Sequence, residues 1–272
     1  MDRDLVKGPN NRRVVELRRL IERPGANPAE TVLEGDRTVG EALDAGICPT
    51  TVVVPERGIG DFDRSSLRSR LDDSVEVLVV RDKVFKRLAP SVTPQPMLAV
   101  IERPAAQVPN SFGVDDFALV LVGVADPGNV GTLIRVADAS GASCVAVAGG
   151  ADPWRPKAVR ASAGSVLRVP VVSGDDVHEM LRRLRGAGAK IVAADVREGL
   201  PHDSGVLRGP LAIVLGSESG GLDRSIDSLV DVRVRIDMPG NAESLNVAMA
   251  GTLLAFEASK NQQAREQQAR DS

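Results

Sequence analysis

The sequence predicts an α/β protein with a C-terminal, mainly parallel, helix-covered sheet and a small α/β domain before it. Two observations carry this. Downstream of residue 103, apolar strand-like runs at 117–124, 142–147, 190–194, 211–215 and 232–236 alternate with helical stretches such as 130–139 and 175–184, the order that βαβ units produce. Three of those runs (117–124, 211–215 and 232–236) are each followed by a loop of small and polar residues. Such loops fall at the mouth of a parallel sheet, where α/β folds bind ligands.

The elements follow in chain order. Val14, Leu17, Leu20 and Ile21 recur at helical spacing and predict a helix over 11–22 that Pro24 stops. TVLEG at 31–35 reads as a short strand. Thr38 with Glu41 three residues later has capping-box spacing before Ala42 and Leu43, and strand-like segments follow at 51–54 and 75–80. ERPAAQVPNSFG at 102–113 has two prolines, an asparagine and a glycine with no apolar period, which is linker composition. The expected organisation is a first domain over 1–102, a linker over 103–114 and a second domain over 115–260. The second domain ends in a helix over 244–259, and the polar tail at 261–272 is read as disordered.

Composition excludes several classes. With 272 residues, 43% of them hydrophobic, and no apolar run of membrane-spanning length, the chain is expected to be soluble and cytoplasmic. Its start, MDRDLVKGPNN, is too polar for a secretory signal. Cys48 and Cys144 have neither metal-ligand nor disulfide spacing, so no metal is expected and both read as small buried residues. The net charge of -3 argues against a simple phosphate reader. Three local clusters are basic nonetheless: Arg12, Arg13, Arg18, Arg19 and Arg23; Arg81, Lys83, Lys86 and Arg87; Arg155, Lys157, Arg160 and Arg168. Each can grip phosphate or simply form a solvated face. One tryptophan, no tyrosine and five phenylalanines leave little for base stacking.

The three loops are DPGNVGTLIR (126–135), LGSESGGL (215–222) and MPGNAESLNVAMAG (238–251). In the first, Asp126, Pro127 and Gly128 form a turn and Asn129 stands where an N-cap would, with Arg135 within the next two helical turns. In the second, Gly220 and Gly221 permit positive φ and close backbone approach, and Glu218 either caps the turn or fixes a neighbouring group. In the third, Ser244 and Asn246 open a helix of small residues, and Ser244 reads on its own as an N-cap. No GxGxxG stands in a strand-turn-helix context, which disfavours a nicotinamide site.

Together, in this order and spacing, the loops resemble the three motifs of the SpoU (TrmH-like) branch of the knotted SPOUT RNA methyltransferases. VRASAG (159–164) and the FLEG-like VLEGDRTVGEAL (32–43) extend the resemblance. It implies transfer of a methyl group from S-adenosylmethionine to a ribose 2'-hydroxyl of RNA, ribosomal RNA of the large subunit (23S) first and transfer RNA next. It also implies a deep trefoil knot, a homodimer and an N-terminal RNA-binding domain of ribosomal-protein-like shape. Carried over by position, the catalytic set is Asn129, Arg135, Glu218, Ser244 and Asn246. Cofactor contacts fall on Leu215, Gly216, Ile236, Met238, Ser244 and Leu245. Asp237 departs from the family, which commonly has proline there. Arg135 is expected to orient substrate and stabilise charge rather than act as the base, because a guanidinium stays protonated. Two other readings remain at this point: a non-catalytic RNA- or ribosome-binding factor on the same fold, and a generic nucleotide-binding enzyme.

Overall fold

In the computed structural model, residues 5–22, 28–218 and 220–270 are described, with side chains through residue 260. Arg23, Pro24 and Ser219 lie outside the described residues. Contacts divide the chain into two units: residues 1–104 with 154–167, and residues 105–153 with 168–272.

The first unit carries β1 (Leu5–Val6), α1 (Arg12–Glu22), β2 (Glu30–Glu34), α2 (Asp36–Asp44), β3 (Thr51–Pro55), α3 (Ile59–Arg64), α4 (Ser66–Arg70), β4 (Glu76–Val80), α5 (Asp82–Leu88) and β5 (Leu98–Glu102). Its sheet runs β1-β4-β3-β5-β2, with β3 parallel to β4 and antiparallel to β5. The apolar face of α1 buries Val14 and Leu17 against Val32, Val53 and Leu98, as the helical period requires. The capping box at Thr38 and Glu41 is not formed. Helix α2 starts three residues earlier, because Gly35 at φ 93 turns the chain there without a side-chain cap. Strand β5 has no counterpart in the sequence reading. Cys48, expected to be buried, is exposed in the turn before β3; Cys144 is buried, which pushes its thiol pKa up to about 12.

The second unit holds β6 (Phe117–Val122), α6 (Pro127–Ser140), β7 (Cys144–Ala148), β8 (Val171–Gly174), α8 (Val177–Gly186), β9 (Lys190–Asp195), β10 (Leu200–Pro201), β11 (Leu211–Leu215), β12 (Val232–Arg235) and α9 (Val247–Arg270). Its seven strands run β10-β12-β9-β11-β6-β7-β8, and neighbours pair in parallel. Strands β6, β7 and β11 are apolar at nearly every position because helices cover both faces. Ala106, Val108 and Phe112, inside the stretch read as linker, pack on this core. Helix α9 runs through the tail expected to be disordered, in keeping with the high helix propensity of its Ala, Gln, Glu and Arg residues.

Helix α7 (Pro156–Ser162) carries the VRASAG segment and belongs by contact to the first unit. Thr31 Oγ1 donates to the Trp154 carbonyl at 2.7 Å, and Arg160 pairs with Glu34 at 3.4 Å.

Candidate active site

The strand order reverses around β6 and β11, which lie side by side, so the loops after them meet at the carboxyl end of the sheet. Asp126, not Asn129, caps α6: its carboxylate accepts from the N–H groups of Gly128 at 2.5 Å and Asn129 at 3.4 Å, with Pro127 opening the helix. The Asn129 side chain is thereby released from capping. Its Nδ2 donates to Glu218 Oε1 at 2.7 Å, and its Oδ1 accepts from Asn246 Nδ2 at 3.3 Å. One amide thus ties the three loops together.

Glu218 is fixed on its other oxygen by the Ala125 N–H at 3.3 Å. Desolvation works to raise its pKa, but the hydrogen bonds from Asn129, Ala125 and Asp126 outweigh it and hold the carboxyl below its usual value. It is a fixed anion, not a poised base. The loop bearing it is a tight ladder in which Ser217 and Gly221 exchange backbone hydrogen bonds, both at 3.0 Å. Only glycine fits at 216, where a Cβ would stand 2.3 Å from the Gly221 carbonyl carbon. In the third loop Asn246, rather than Ser244, caps α9, accepting from the Ala248 N–H at 2.8 Å. The Ser244 hydroxyl makes no hydrogen bond among the described residues. Gly251 lets α9 approach closely, since a Cβ there would meet Leu133 Cδ2 at 2.3 Å.

A cleft of about 830 Å³ opens beside these loops. Leu215, Gly216, Ile236, Met238, Ser244 and Leu245, the six residues assigned to the cofactor, all line it, as do Glu218 and Asn246. The backbone N–H groups of Gly216, Ile236 and Leu245 make no hydrogen bond among the described residues. Uncommitted backbone donors beside apolar side chains are what a purine edge and a ribose require. Asp237, the departure from the family pattern, is turned away to Arg235 at 2.8 Å.

The structure does not bring all five catalytic candidates together. Asn129, Glu218 and Asn246 form one hydrogen-bonded chain and Ser244 lines the same cleft. Arg135, farther along α6, is exposed and makes no hydrogen bond or ion pair among the described residues. The sequence reading missed the loop after β9, whose Asp195 and Arg197 also line the cleft. The signal was available: AADVREG is an acid-bearing turn directly after an apolar strand of the same sheet.

Fold and site together define an α/β transferase with a cleft for a nucleoside-type cofactor. The model of the SpoU rRNA Methylase family matches residues 116–256, and that of the MRM3-like substrate binding domain matches residues 11–99. The 23S rRNA (guanosine(2553)-2'-O)-methyltransferase RlmP of Bacillus subtilis (strain 168) is 27% identical, over 92% of this chain and 97% of that protein. The 23S rRNA (uridine(2479)-2'-O)-methyltransferase of Streptomyces viridochromogenes is 32% identical, over 84% of this chain and 82% of its own length. The crystal structure of an AdoMet-bound rRNA methyltransferase from Sinorhizobium meliloti superposes with a TM-score of 0.82 at 27% identity, covering 94% of this chain and 97% of that one. The chain belongs to the SpoU rRNA methylase family.

Proposed function

We propose that this protein transfers a methyl group from S-adenosylmethionine to a ribose 2'-hydroxyl of ribosomal RNA, in the 23S molecule. The observation that carries the reading is the Glu218–Asn129–Asn246 chain beside a cleft of free backbone donors. When bound, the cofactor supplies an electrophilic methyl on a sulfonium. The protein's part is to hold the ribose oxygen in line with it, exclude competing geometries and stabilise the negative charge that develops on that oxygen as its proton leaves. Asn129, Glu218 and Asn246 hold one wall of that geometry rigid. Ser244 presents an uncommitted hydroxyl to the same space. Arg135, without a partner among the described residues, orients the substrate phosphate and stabilises developing negative charge.

The rest of the reading concerns assembly. The basic clusters are not equivalent. Arg12 and Arg13 pair with Glu16, Arg13 also with Glu76, and Arg168 with Asp138. The side chains of Arg81, Lys83, Lys86 and Arg87, on and beside α5, make no ion pair among the described residues and are the RNA-gripping set of the substrate-binding domain. Met249, Leu253 and Phe256 are exposed at helical spacing on α9. An apolar stripe of that kind supports the homodimer. The deep trefoil knot is part of the same reading. No helix among the described residues is long and apolar enough to cross a membrane, and the protein is proposed to work in the cytoplasm without a metal.

The test is transfer of labelled methyl from S-adenosylmethionine to large-subunit RNA, free 50S subunits and bulk transfer RNA, with chelator present throughout. Label in large-subunit RNA or the 50S particle is expected. Label confined to transfer RNA moves the substrate class, and cofactor binding with no label in any RNA favours the non-catalytic factor.

A further inference from the structure

The cleft lined by the three motif loops is also walled by the turn after β9, and its charged residues divide unevenly. Of the three arginines that line it, two are spent. Arg233 pairs with Asp195 at 2.9 Å and with Asp227, and Arg224 pairs with Glu198 at 3.2 Å. Of the acids, Asp195 is held by Arg233, and Glu218 by Asn129 and the Ala125 N–H. Arg197 and Glu243 remain. Both line the cleft, and among the described residues neither side chain has a hydrogen-bond or ion-pair partner.

The loop that carries Arg197 is built rather than loose. Asp195 Oδ1 accepts from the N–H groups of Arg197 at 2.9 Å and Glu198 at 3.0 Å, while its Oδ2 takes the Arg233 guanidinium. That turn fixes the backbone of Arg197 from beneath and leaves its side chain over the cleft. Arg233, which holds Asp195 from the other side, is largely enclosed, its side chain 17% exposed. Glu243 immediately precedes Ser244 in the third loop.

A cleft that neutralises its other charged side chains and leaves one cation and one anion is complementary to a zwitterion. S-adenosylmethionine carries one, since its amino-acid tail bears a carboxylate and an ammonium. We propose that Arg197 binds the carboxylate and Glu243 the ammonium of that tail, so that these two residues select a cofactor with an intact amino-acid end. Guanidinium meets carboxylate with two parallel hydrogen bonds, a geometry that neither a backbone N–H nor a lysine supplies. The purine and ribose are left to the uncommitted backbone groups of Gly216, Ile236 and Leu245. The inference rests on the cofactor assignment above.

Calorimetric titration of the full chain separates the contributions, comparing variant with native for each of three adenosyl probes that differ in the tail, the decarboxylated one also carrying the sulfonium charge. S-adenosylhomocysteine has both charges, decarboxylated S-adenosylmethionine lacks the carboxylate, and 5′-methylthioadenosine lacks the whole tail. Arg197→Ala is expected to weaken S-adenosylhomocysteine about tenfold, the scale of one charged hydrogen-bonded contact, and to leave the other two probes unchanged. Glu243→Ala is expected to weaken S-adenosylhomocysteine and the decarboxylated probe alike, and to spare methylthioadenosine. Arg197→Lys should recover part of the loss. Unchanged affinities in both variants, or equal losses for methylthioadenosine, overturn the assignment. Unchanged cofactor affinity with weakened RNA binding in Arg197→Ala overturns it in favour of a phosphate contact. Failure of the native chain to bind any of the three overturns the cofactor assignment with it.

Discussion

Two glutamates, one in each unit, illustrate how alike a structural carboxylate and one proposed to act in catalysis can look in sequence. Glu34 is the last residue of β2 in the VLEG segment, and Glu218 stands three residues past β11 in the LGSESGGL loop. Each accepts from a backbone N–H, Gln95 at 3.1 Å for Glu34 and Ala125 at 3.3 Å for Glu218, and each holds a side chain from a distant part of the chain. The difference is what lies around them. The Glu34 side chain is 2% exposed, covered by the loop whose Ser91 hydroxyl and Gln95 N–H it takes and by Arg160 of α7. Glu218 stands at an open cleft with uncommitted donors beside it. Its partner Asn129 passes the constraint on to Asn246, which caps the helix behind the site. A buried carboxylate whose donors all come from its own surroundings stabilises a fold. One whose donors form the rim of a cleft is the one proposed to orient a reaction.

That contrast can be broken by removing each carboxylate in turn. Glu34→Ala strips the acceptor from Ser91, the Gln95 N–H and Arg160, and is expected to cost about 3 kcal/mol of stability. The measurement is chemical unfolding, with methyl transfer per folded molecule unchanged at low temperature. Glu218→Ala should do the reverse, lowering the rate about a hundredfold, or about 2.7 kcal/mol at the barrier, with a melting temperature close to native. Equal behaviour of the two variants would erase the distinction. A milder probe acts behind the site: Gly251→Val puts a side chain into Leu133 and Leu215, and is expected to cost about 2 kcal/mol through overpacking while loosening cofactor binding.

The smallest effect is in pH. Because Glu218 is held below its ordinary pKa when folded, its contribution is fully present above the unfolded value of about 4.3 and is lost as pH falls through the folded value. Folding stability from this group is therefore expected to stay flat from neutral pH down to about 5 and to fall only in stronger acid, with Glu218→Gln flattening that acid limb of the unfolding free energy. A stability that changes around neutrality would point to another group.

Much of this was legible in the sequence, for physical reasons that differ by element. The strands β6, β7 and β11 announce themselves as unbroken apolar runs because they are buried on both faces, whereas β12 alternates valine with arginine. The motif loops stand out because glycines and amides follow those runs directly. Individual jobs were less legible. Asp126 and Asn129 are both good N-caps, and only the folded backbone decides that Asp126 takes the role and frees Asn129. Ser244 and Asn246 pose the same choice, resolved in favour of Asn246 by its bond to the Ala248 N–H. Helix α7 follows β7 in sequence but packs on β2, a tertiary preference with no local signal. The spent and unspent arginines of the cleft are likewise invisible in a string of letters, since Arg224 and Arg233 differ from Arg197 only in the acids that folding brings to them.

The central claim is that the site delivers methyl to a ribose oxygen and needs the Arg135 guanidinium to do so. The most direct test digests 23S ribosomal RNA, after reaction with labelled S-adenosylmethionine, to nucleosides and identifies the methylated one by mass spectrometry, for the native protein and Arg135→Ala. The account predicts a single 2'-O-methylnucleoside, reduced about a hundredfold or more in the variant while cofactor affinity is retained. A base-methylated nucleoside, or an Arg135→Ala protein working at the native rate, would contradict it.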